Sequence, residues 1–240
     1  MITYVGKCLL IEEGKSRKKE RVLVIGDIHL GYEREDIHAA GALNAQHFEK
    51  QVFEDLMEAF ERIGNVDVIV LLGDIKHRFV QIDMYGRHAL VNLFDCLMKW
   101  TKKIVIIKGN HDTYLENVTR SRKIEVVDFH TWKEYCFMHG DRAFEEIKDK
   151  NIMFWIMGHL HPMVTIRDGV KAERYKCFLQ GRYKGKEIII LPSFSEASKG
   201  SDILTYKSNL AWNFNLKRFN VFVVGENLDV LSFGKLRKIK

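Results

Sequence analysis

The sequence predicts an α/β protein in which two β-sheets pack against each other, and three observations carry this prediction. Short apolar runs alternate with amphipathic helical patterns through the first half of the chain, which is typical of a mostly parallel sheet with covering helices. Short, closely spaced apolar runs fill the second half, which indicates a second sheet packed on the first. The 240 residues are 46% hydrophobic and 29% charged, without repeats or a break in composition, so we expect one domain over residues 1–240.

The first half supplies the helices and the buried strands. The segments 21–26 and 66–72 are short apolar runs, the pattern of a strand that is buried on both faces, and Phe48, Val52 and Leu56 stand at helical spacing. A polar tip with Gly14 as its turn residue separates the first two strands. In chain order we expect a strand at 2–11, a strand at 21–26, a helix at 36–63, a strand at 66–72, a helix around 90–97 and a strand at 104–107.

The second half consists mainly of strands. Only the segment 143–150 has a helical pattern there, and the tail reads as a closing hairpin of 219–224 with 229–233. The other predicted strands lie at 124–127, 135–138, 152–157, 163–167, 175–179 and 188–191.

Charge and cysteine usage narrow the classes of protein. The net charge of +6 favours anionic partners without requiring them. The four cysteines, Cys8, Cys96, Cys136 and Cys177, have no paired spacing, which argues against a disulfide framework and a cysteine-based zinc site. No run approaches 18 apolar residues and the first residues read as a strand, so we expect a cytoplasmic protein without a membrane partner.

Five blocks of metal-binding residue types follow predicted strands. In an open α/β sheet, ligands bind beyond the carboxyl ends of the strands, so blocks that are distant in sequence can meet there. The blocks are Gly26-Asp27-Ile28-His29, Gly73-Asp74-Ile75-Lys76-His77, Gly109-Asn110-His111-Asp112, His139-Gly140-Asp141 and Gly158-His159-Leu160-His161.

The residue types in these blocks define a metal chemistry. Carboxylates, an amide and imidazoles without a thiolate suit Mn²⁺, Fe or Zn²⁺ better than Ca²⁺. Two ions about 3.5–4 Å apart are the usual device for displacement at phosphorus. Seven candidate ligands suffice for two ions if one carboxylate bridges them, and they are Asp27, His29, Asp74, Asn110, His139, His159 and His161.

From Asp27 to His161, these five blocks in this order resemble the calcineurin-like metallophosphoesterase superfamily. The segments Asp27-Ile-His-Leu-Gly-Tyr-Glu33, Leu72-Gly-Asp-Ile-Lys-His77 and Gly158-His-Leu-His-Pro162 are similar to a smaller branch. That branch comprises archaeal Icc-like phosphoesterases and bacterial ligase-associated DNA-damage-response endonucleases. The resemblance implies a four-layer α/β/β/α sandwich with two mixed sheets.

The resemblance also implies a role for each residue. A hydroxide bridging two divalent ions, Mn²⁺ in the first place with Fe or Zn²⁺ as alternatives, would attack phosphorus. His111 would stand beside the leaving oxygen and stabilise its charge or donate a proton, and Asp112 would orient His111. Asp27, His29 and His161 would hold the first ion, Asp74 would bridge, and Asn110, His139 and His159 would complete the second.

Three further features have two readings each. His77 is either a contact behind the ligands or a solvated loop residue. Arg142 either contacts a substrate phosphate or forms a surface salt bridge. The segment 191–200, rich in small polar residues, is either a loop near the site or an ordinary surface connection.

Three basic runs bear on the substrate. A nucleic-acid enzyme uses such charges for phosphate contacts, although charge runs are usually solvated faces. The runs are Lys15, Arg17, Lys18, Lys19 and Arg21; Arg120, Arg122 and Lys123; and Lys235, Arg237, Lys238 and Lys240.

Three functions follow in order of preference. The first is a two-metal phosphodiesterase that acts on nucleic acid, as a DNA or RNA endonuclease does, and a helicase or ligase partner is suggested by the family resemblance only. The second is a phosphodiesterase or phosphatase for small molecules or cyclic nucleotides. The third, a non-catalytic metal-binding scaffold, is disfavoured because His111 and every candidate ligand are present.

Overall fold

The computed structural model describes residues 1–14, 19–30, 42–76, 84–113, 115–198, 200–205 and 209–239. In these described residues the first sheet has six strands in the order of the chain. The last four are parallel to one another, the second is antiparallel to the third, and the first is antiparallel to the second. They are β1 (Ile2–Val5), β2 (Cys8–Glu13), β3 (Glu20–Ile25), β4 (Val68–Leu71), β5 (Lys103–Ile107) and β6 (Glu125–Val127). The helices of this half are α1 (Ala42–Ile63), α2 (Met84–Leu97) and the short α3 (Glu116–Thr119).

The second sheet is mixed and has nine strands within the described part of the chain. Its main path runs in the order β13-β10-β11-β12-β9-β8-β7, and the final hairpin joins it because β14 pairs with β11. The strands are β7 (Phe129–Trp132), β8 (Tyr135–Met138), β9 (Phe154–Met157), β10 (Pro162–Asp168), β11 (Lys171–Tyr183), β12 (Lys186–Ile190), β13 (Ser201–Asp202), β14 (Asn220–Val224) and β15 (Val230–Lys235).

Three apolar clusters hold the layers together. One lies between the sheets, where Val24 and Val105 of the first sheet meet Phe137 and Phe178 of the second. A second packs α1 and α2 on the outer face of the first sheet. The third covers the outer face of the second sheet, with side chains such as Trp212 supplied by irregular chain and 3₁₀ turns. The predicted α/β class with two mixed sheets is therefore confirmed, whereas the single domain stays a prediction.

Some predicted elements differ from the structure. The predicted strand 2–11 is two strands, because Gly6 adopts a φ of +53° and turns the chain between β1 and β2. The segment 124–127, whose position in the chain predicts the second sheet, pairs with β5 in the first. The helical pattern at 143–150 yields only a 3₁₀ turn at Glu146–Lys148, and β7 was not predicted. Of the predicted helix 36–63, residues 36–41 lie outside the described residues.

The strand directions create one functional end of the sandwich. Within the first sheet β3, β4 and β5 are parallel, and within the second β8, β9 and β12 are parallel. The amide of His159, just after β9, reaches the carboxylate of Asp27, just after β3, so the carboxyl ends of both sets meet. We call this edge the site end. In the described part of the chain, no helix is both long enough and apolar enough to cross a membrane.

Candidate metal centre

Loops that follow five strands converge at the site end. Asp27 follows β3, Asp74 follows β4, Asn110 follows β5, His139 follows β8 and His159 follows β9. Backbone contacts join the first two loops, because the amide of His29 donates to the carbonyl of Asp74 at 2.8 Å. The blocks predicted to meet from their positions after strands do meet.

Three of the candidate ligands form a first cluster, which we call group one: Asp27, His29 and His161. One donor atom from each lies within 4.8 Å of the others. The Nε2 atom of His161 is 3.1 Å from Oδ1 of Asp27 and 3.2 Å from Nε2 of His29. Asp27 is fully buried and His29 nearly so, so these donors face each other in a shielded cleft.

Group two consists of Asp74, His139 and His159, whose donor atoms also lie within 4.8 Å of one another. The Nε2 atom of His139 is 3.4 Å from Oδ2 of Asp74 and 3.1 Å from Nδ1 of His159. Asn110 joins this group from the exposed side, with its Oδ1 atom 3.1 Å from Nε2 of His139. All seven predicted ligands are therefore gathered in one place.

Asp74 lies between the two groups. Its Oδ2 atom is 3.8 Å from Nε2 of His29 in group one and 3.4 Å from Nε2 of His139 in group two. Its other oxygen accepts the amide hydrogen of His111 at 2.9 Å, which fixes the carboxylate. This is the placement expected of a bridging carboxylate.

Four of the six residues in these groups have left-handed backbone conformations. The φ angles are +50° for His29, +48° for Asp74, +63° for His159 and +47° for His161. Such conformations are uncommon for residues other than glycine, and they concentrate where surrounding structure imposes them at functional sites. The local turns at His159 and His161 let side chains two residues apart join different groups.

Two glycines allow the carboxylates to approach the backbone. A Cβ atom at Gly158 would overlap the carboxylate of Asp27, and a Cβ atom at Gly109 would overlap that of Asp74. Neither glycine needs an unusual φ angle, so absence of a side chain is their contribution.

The buried carboxylates of Asp27 and Asp74 favour positive charge in the site. Burial raises the pKa of Asp27, but the imidazoles of His161, His139 and His29 outweigh burial and hold that pKa well below its usual range. Burial lowers the pKa of His139, yet its bond to Asp74 and the charges of Asp27 and Asp74 raise it to about 10. Burial and the nearby His161 lower the pKa of His29 to about 3, so its ring stays neutral, as a metal ligand must be.

The outward-facing ring nitrogens test whether these imidazoles suit metal ions. A metal-bound histidine usually gives the N–H of its other ring nitrogen to a fixed acceptor, which sets the tautomer. Nδ1 of His139 lies 2.7 Å from the carbonyl of Leu72, and Nδ1 of His161 lies 2.9 Å from Oγ of Ser198. Nε2 of His159 lies 3.1 Å from the amide nitrogen of Asn209, which is a donor and accepts no N–H from this ring. The donor set, with the acceptors beside His139 and His161, therefore fits two divalent ions.

Sequence reasoning missed Asn209 and did not single out Ser198. Ser198 lies in the segment 191–200, for which a loop near the site was one of two readings, and the structure places that loop at the site. The amide of Phe194 in the same loop donates to the carbonyl of Asp27 at 2.7 Å. No sequence signal marks Asn209, since a single polar residue in an irregular segment has no pattern.

The two residues predicted to act at the leaving group lie beside the groups. The imidazole of His111 is partly exposed, and its Nε2 atom is 3.9 Å from Oδ2 of Asp74. The carboxylate of Asp112 accepts the backbone amides of Ile75 at 2.9 Å and Gly109 at 3.1 Å, so it ties together the loops after β4 and β5. The roles of His111 in proton transfer and of Asp112 in orienting it stay predictions.

Of the remaining candidates, Arg142 forms surface ion pairs and His77 cannot be placed. The guanidinium of Arg142 is exposed and paired with Asp128 at 3.0 Å and Asp141 at 3.4 Å. A substrate contact by Arg142 stays a prediction. His77 lies outside the described residues.

The described residues of the basic runs lie at strand ends away from the site end. Arg21 stands near the start of β3, and Arg122 and Lys123 directly precede β6, whereas the site lies beyond the other ends of these sheets' strands. Strands of this length separate such positions from the site by about 10–20 Å. The C-terminal run comes at and after the last residue of β15, which runs away from the site end because it is antiparallel to β14. Lys15, Arg17, Lys18 and Lys240 lie outside the described residues.

Replacing Gly158 with alanine should disturb group one specifically. The new Cβ must displace the Asp27 carboxylate, so we expect Mn²⁺ binding to weaken by about 10–100-fold, as when contacts that orient a metal ligand are lost. Overpacking should also lower the free energy of unfolding by about 1–3 kcal/mol. Isothermal titration with Mn²⁺ and thermal unfolding measure the two effects.

The matched control is Gly225→Ala, where the nearest atom to the new Cβ is a carbonyl oxygen of Asp229 at an ordinary 3.6 Å. This variant should bind Mn²⁺ as the unaltered chain does. Unchanged Mn²⁺ affinity in Gly158→Ala would show that close approach of Asp27 to the backbone is not needed for binding.

Comparisons with known proteins agree with this geometry. The family model described as calcineurin-like phosphoesterase matches residues 20–234. The nuclease MPE of Pseudomonas putida has a solved structure that is similar over 93% of this chain and 100% of its own, with a TM-score of 0.60 and 17% sequence identity. At that identity the likeness shows the fold alone.

A solved protein of unknown function from Aquifex aeolicus is 16% identical over 58% of this chain and 78% of its own. Its TM-score of 0.39 is too low to carry an argument. No curated protein matches the chain. The family match is different in kind, because it spans most of the chain and includes every residue of groups one and two. The chain therefore belongs to the calcineurin-like phosphoesterase family, and it is a metal-dependent phosphoester hydrolase.

Proposed function

We propose that this protein hydrolyses phosphodiester bonds in nucleic acid, using two divalent ions held by groups one and two. One observation carries the two-ion part of the proposal: Oδ2 of Asp74 stands 3.8 Å from His29 in one group and 3.4 Å from His139 in the other. When bound, two such ions neutralise phosphoryl charge and supply a nucleophile from water near neutral pH.

The chain's own residues divide the work of binding and proton transfer. We assign Asp27, His29 and His161 to one ion, and His139, His159 and Asn110 to the other, with Asp74 shared. Mn²⁺ is our first choice, because mixed oxygen and nitrogen donors without thiolate suit it. We assign to His111, whose ring is partly exposed and belongs to neither group, the task of holding a proton at the leaving oxygen.

Two observations support nucleic acid as the substrate. The net charge of +6 favours a polyanion in general. The solved structure that covers 93% of this chain is that of a protein named as a nuclease, although its 17% identity extends to the fold only.

A small phosphodiester is the second candidate substrate, and the placement of the basic runs favours it. Arg21, Arg122 and Lys123 are separated from the site end by the length of their strands, so in the described residues these runs do not flank groups one and two. An enzyme for small phosphodiesters needs no extended basic approach to its site.

Parallel assays with Mn²⁺ separate the two substrates. Labelled single- and double-stranded DNA and RNA should be cut internally, and chelation with EDTA should stop the cutting. Bis(4-nitrophenyl) phosphate serves as the small diester in the same buffer. Turnover of this ester without cleavage of any polymer would overturn the nucleic-acid proposal and leave the phosphodiesterase chemistry standing. Turnover of neither would overturn both.

A further inference from the structure

A buried lysine lies behind group one. Lys176 in β11 is only 8% exposed. Its Nζ atom donates to the carbonyl of Ser193 at 2.9 Å, to Oγ of Ser193 at 2.8 Å and to the carbonyl of Ser195 at 2.5 Å. Three close acceptors match the three N–H donors of an ammonium group, and no carboxylate is among them.

These acceptors belong to one loop, residues 193–198, which we call the serine loop. It has neither helical nor strand structure, so its carbonyls lack the partners that regular elements supply. Ser193, Ser195 and Ser198 are all buried, and Lys176 supplies donors to the loop from below. A buried carbonyl without a donor costs about 1–3 kcal/mol, so the loop's conformation depends on this amine.

The serine loop touches group one at two points. The amide of Phe194 donates to the carbonyl of Asp27 at 2.7 Å. The Oγ atom of Ser198 lies 2.9 Å from Nδ1 of His161. In the tautomer that leaves Nε2 of His161 able to bind a cation, Nδ1–H donates to the hydroxyl of Ser198, and this bond holds the ring in its orientation.

A second buried lysine fastens the other side of the loop in a different way. Lys7 pairs with Asp55 of α1 at 2.5 Å and with Glu196 at 2.8 Å. This contact uses the side chain of Glu196, whereas Lys176 holds backbone carbonyls. Lys7 therefore holds a side chain of the loop, whereas Lys176 holds the backbone on the way to Ser198.

We propose that Lys176 is a positioning residue for the metal centre, which it serves by holding the serine loop so that Ser198 fixes the ring of His161. The inference rests on the proposed two-ion centre and adds to it a residue outside the ligand blocks. His161 needs such support, because it has a left-handed backbone and its side chain is partly exposed, unlike that of Asp27.

Burying the amine of Lys176 costs free energy, which is consistent with a specific role in holding the serine loop. Burial lowers its pKa to about 7, against the charges of Glu196, Asp55 and Asp27, which raise it, and of Lys7, which lowers it further. A methionine would fill a similar volume without that cost, but it would leave the carbonyls of Ser193 and Ser195 without a donor.

Four variants test the proposal by metal binding, apart from catalysis. Ser198→Ala removes the acceptor of His161, Lys176→Met removes the donor to the loop, and Ser198→Thr retains the hydroxyl. Thr101→Val is the matched control, since it deletes another buried hydroxyl, one that contacts the carbonyls of Asp67 and Lys103 far from the site. Isothermal titration with Mn²⁺ gives stoichiometry and affinity, and the visible absorption of bound Co²⁺ reports ligand geometry.

The unaltered chain should bind two Mn²⁺ ions. In Ser198→Ala and Lys176→Met we expect one of the two to bind about 10–100-fold more weakly, with a changed Co²⁺ spectrum. Ser198→Thr should restore binding, and Thr101→Val should lose stability without a change in affinity. Circular dichroism checks folding, and if Lys176→Met does not fold, Ser198→Ala decides.

The outcomes separate this inference from the proposed function. Two ions bound by the unaltered chain and, within twofold, by folded Ser198→Ala would overturn the positioning role alone. No Mn²⁺ bound by the unaltered chain would overturn the metal centre and this inference with it.

Discussion

Replacing Asp74 with asparagine is expected to lower kcat/KM for phosphodiester hydrolysis by at least about 10³-fold. The substitution keeps the shape of the side chain but removes the one carboxylate placed between His29 and His139. Loss of a shared anionic ligand removes several kcal/mol of charge stabilisation, and about 4 kcal/mol corresponds to that factor. Steady-state kinetics with bis(4-nitrophenyl) phosphate at saturating Mn²⁺ measure the change, and isothermal titration should show one bound ion instead of two.

Asp67→Asn is the matched control for this experiment. Its carboxylate accepts the amide of Arg21 at 2.7 Å near the starts of β3 and β4, away from the site end, and the same chemical change there should leave kcat/KM within a factor of two. If Asp74→Asn bound two Mn²⁺ ions and kept more than a tenth of the activity, Asp74 would not be the shared ligand.

The sequence predicts the first sheet well because its central strands are buried on both faces. The short, mostly apolar runs 21–26, 66–72 and 104–107 carry the pattern of such strands, and β3, β4 and β5 form there. Helix α1 is predicted for a similar reason, since its apolar side chains recur at a spacing that only a helix presents on one face. Local pattern and global fold agree at these elements.

The errors occur where partners distant in sequence decide the structure. The turn at Gly6 and Lys7 was overlooked within a mostly apolar segment, and a distant residue supports it, since the carbonyl of Leu228 accepts the amide of Gly6 at 2.8 Å. The assignment of β6 to the first sheet follows from pairing with β5, and its three residues carry no pattern of their own. Where pairing with another strand decides which sheet a segment joins, the periodicity of that segment cannot predict the sheet.

The candidate site likewise has a part that the sequence predicts and a part that it does not. Its ligands could be predicted, because each follows a strand and the carboxyl ends of parallel strands meet. The residues that support these ligands could not be predicted. They come from later segments that reach the site only through the fold, and they are Ser198, Asn209 and Lys176. A polar residue without a repeating pattern becomes interpretable only when its partner is known.

Among the sequence observations, the net charge is the least reliable guide to the substrate. A value of +6 says how many cations the chain carries, but not where they stand. Arg21 donates to carbonyls of α1 and its following loop, and Arg122 pairs with Asp95 of α2, so both serve the scaffold. Charge therefore bears on the substrate only after its location is known.

Replacing His111 with alanine should affect chemistry and spare metal binding. The ring belongs to neither group, but its Nε2 atom lies 3.9 Å from Oδ2 of Asp74 and it is partly exposed, so a bound ester can reach it. If it holds a proton at the leaving oxygen, kcat for an ester with an alkoxide leaving group should fall by about 10²–10⁴-fold. An ester that releases 4-nitrophenolate needs little help from a proton donor and should lose much less.

This difference between leaving groups distinguishes proton transfer from damage to the site. His130→Ala is the matched control, because His130 is a half-buried imidazole in β7 that stacks on Phe137 and lies outside both groups. It should leave both rates unchanged. In His111→Ala, titration should still give two Mn²⁺ ions, so a lower kcat cannot come from an empty site. An equal loss with both esters would contradict the proton-transfer role, because a ring that only shaped the site would slow both reactions alike.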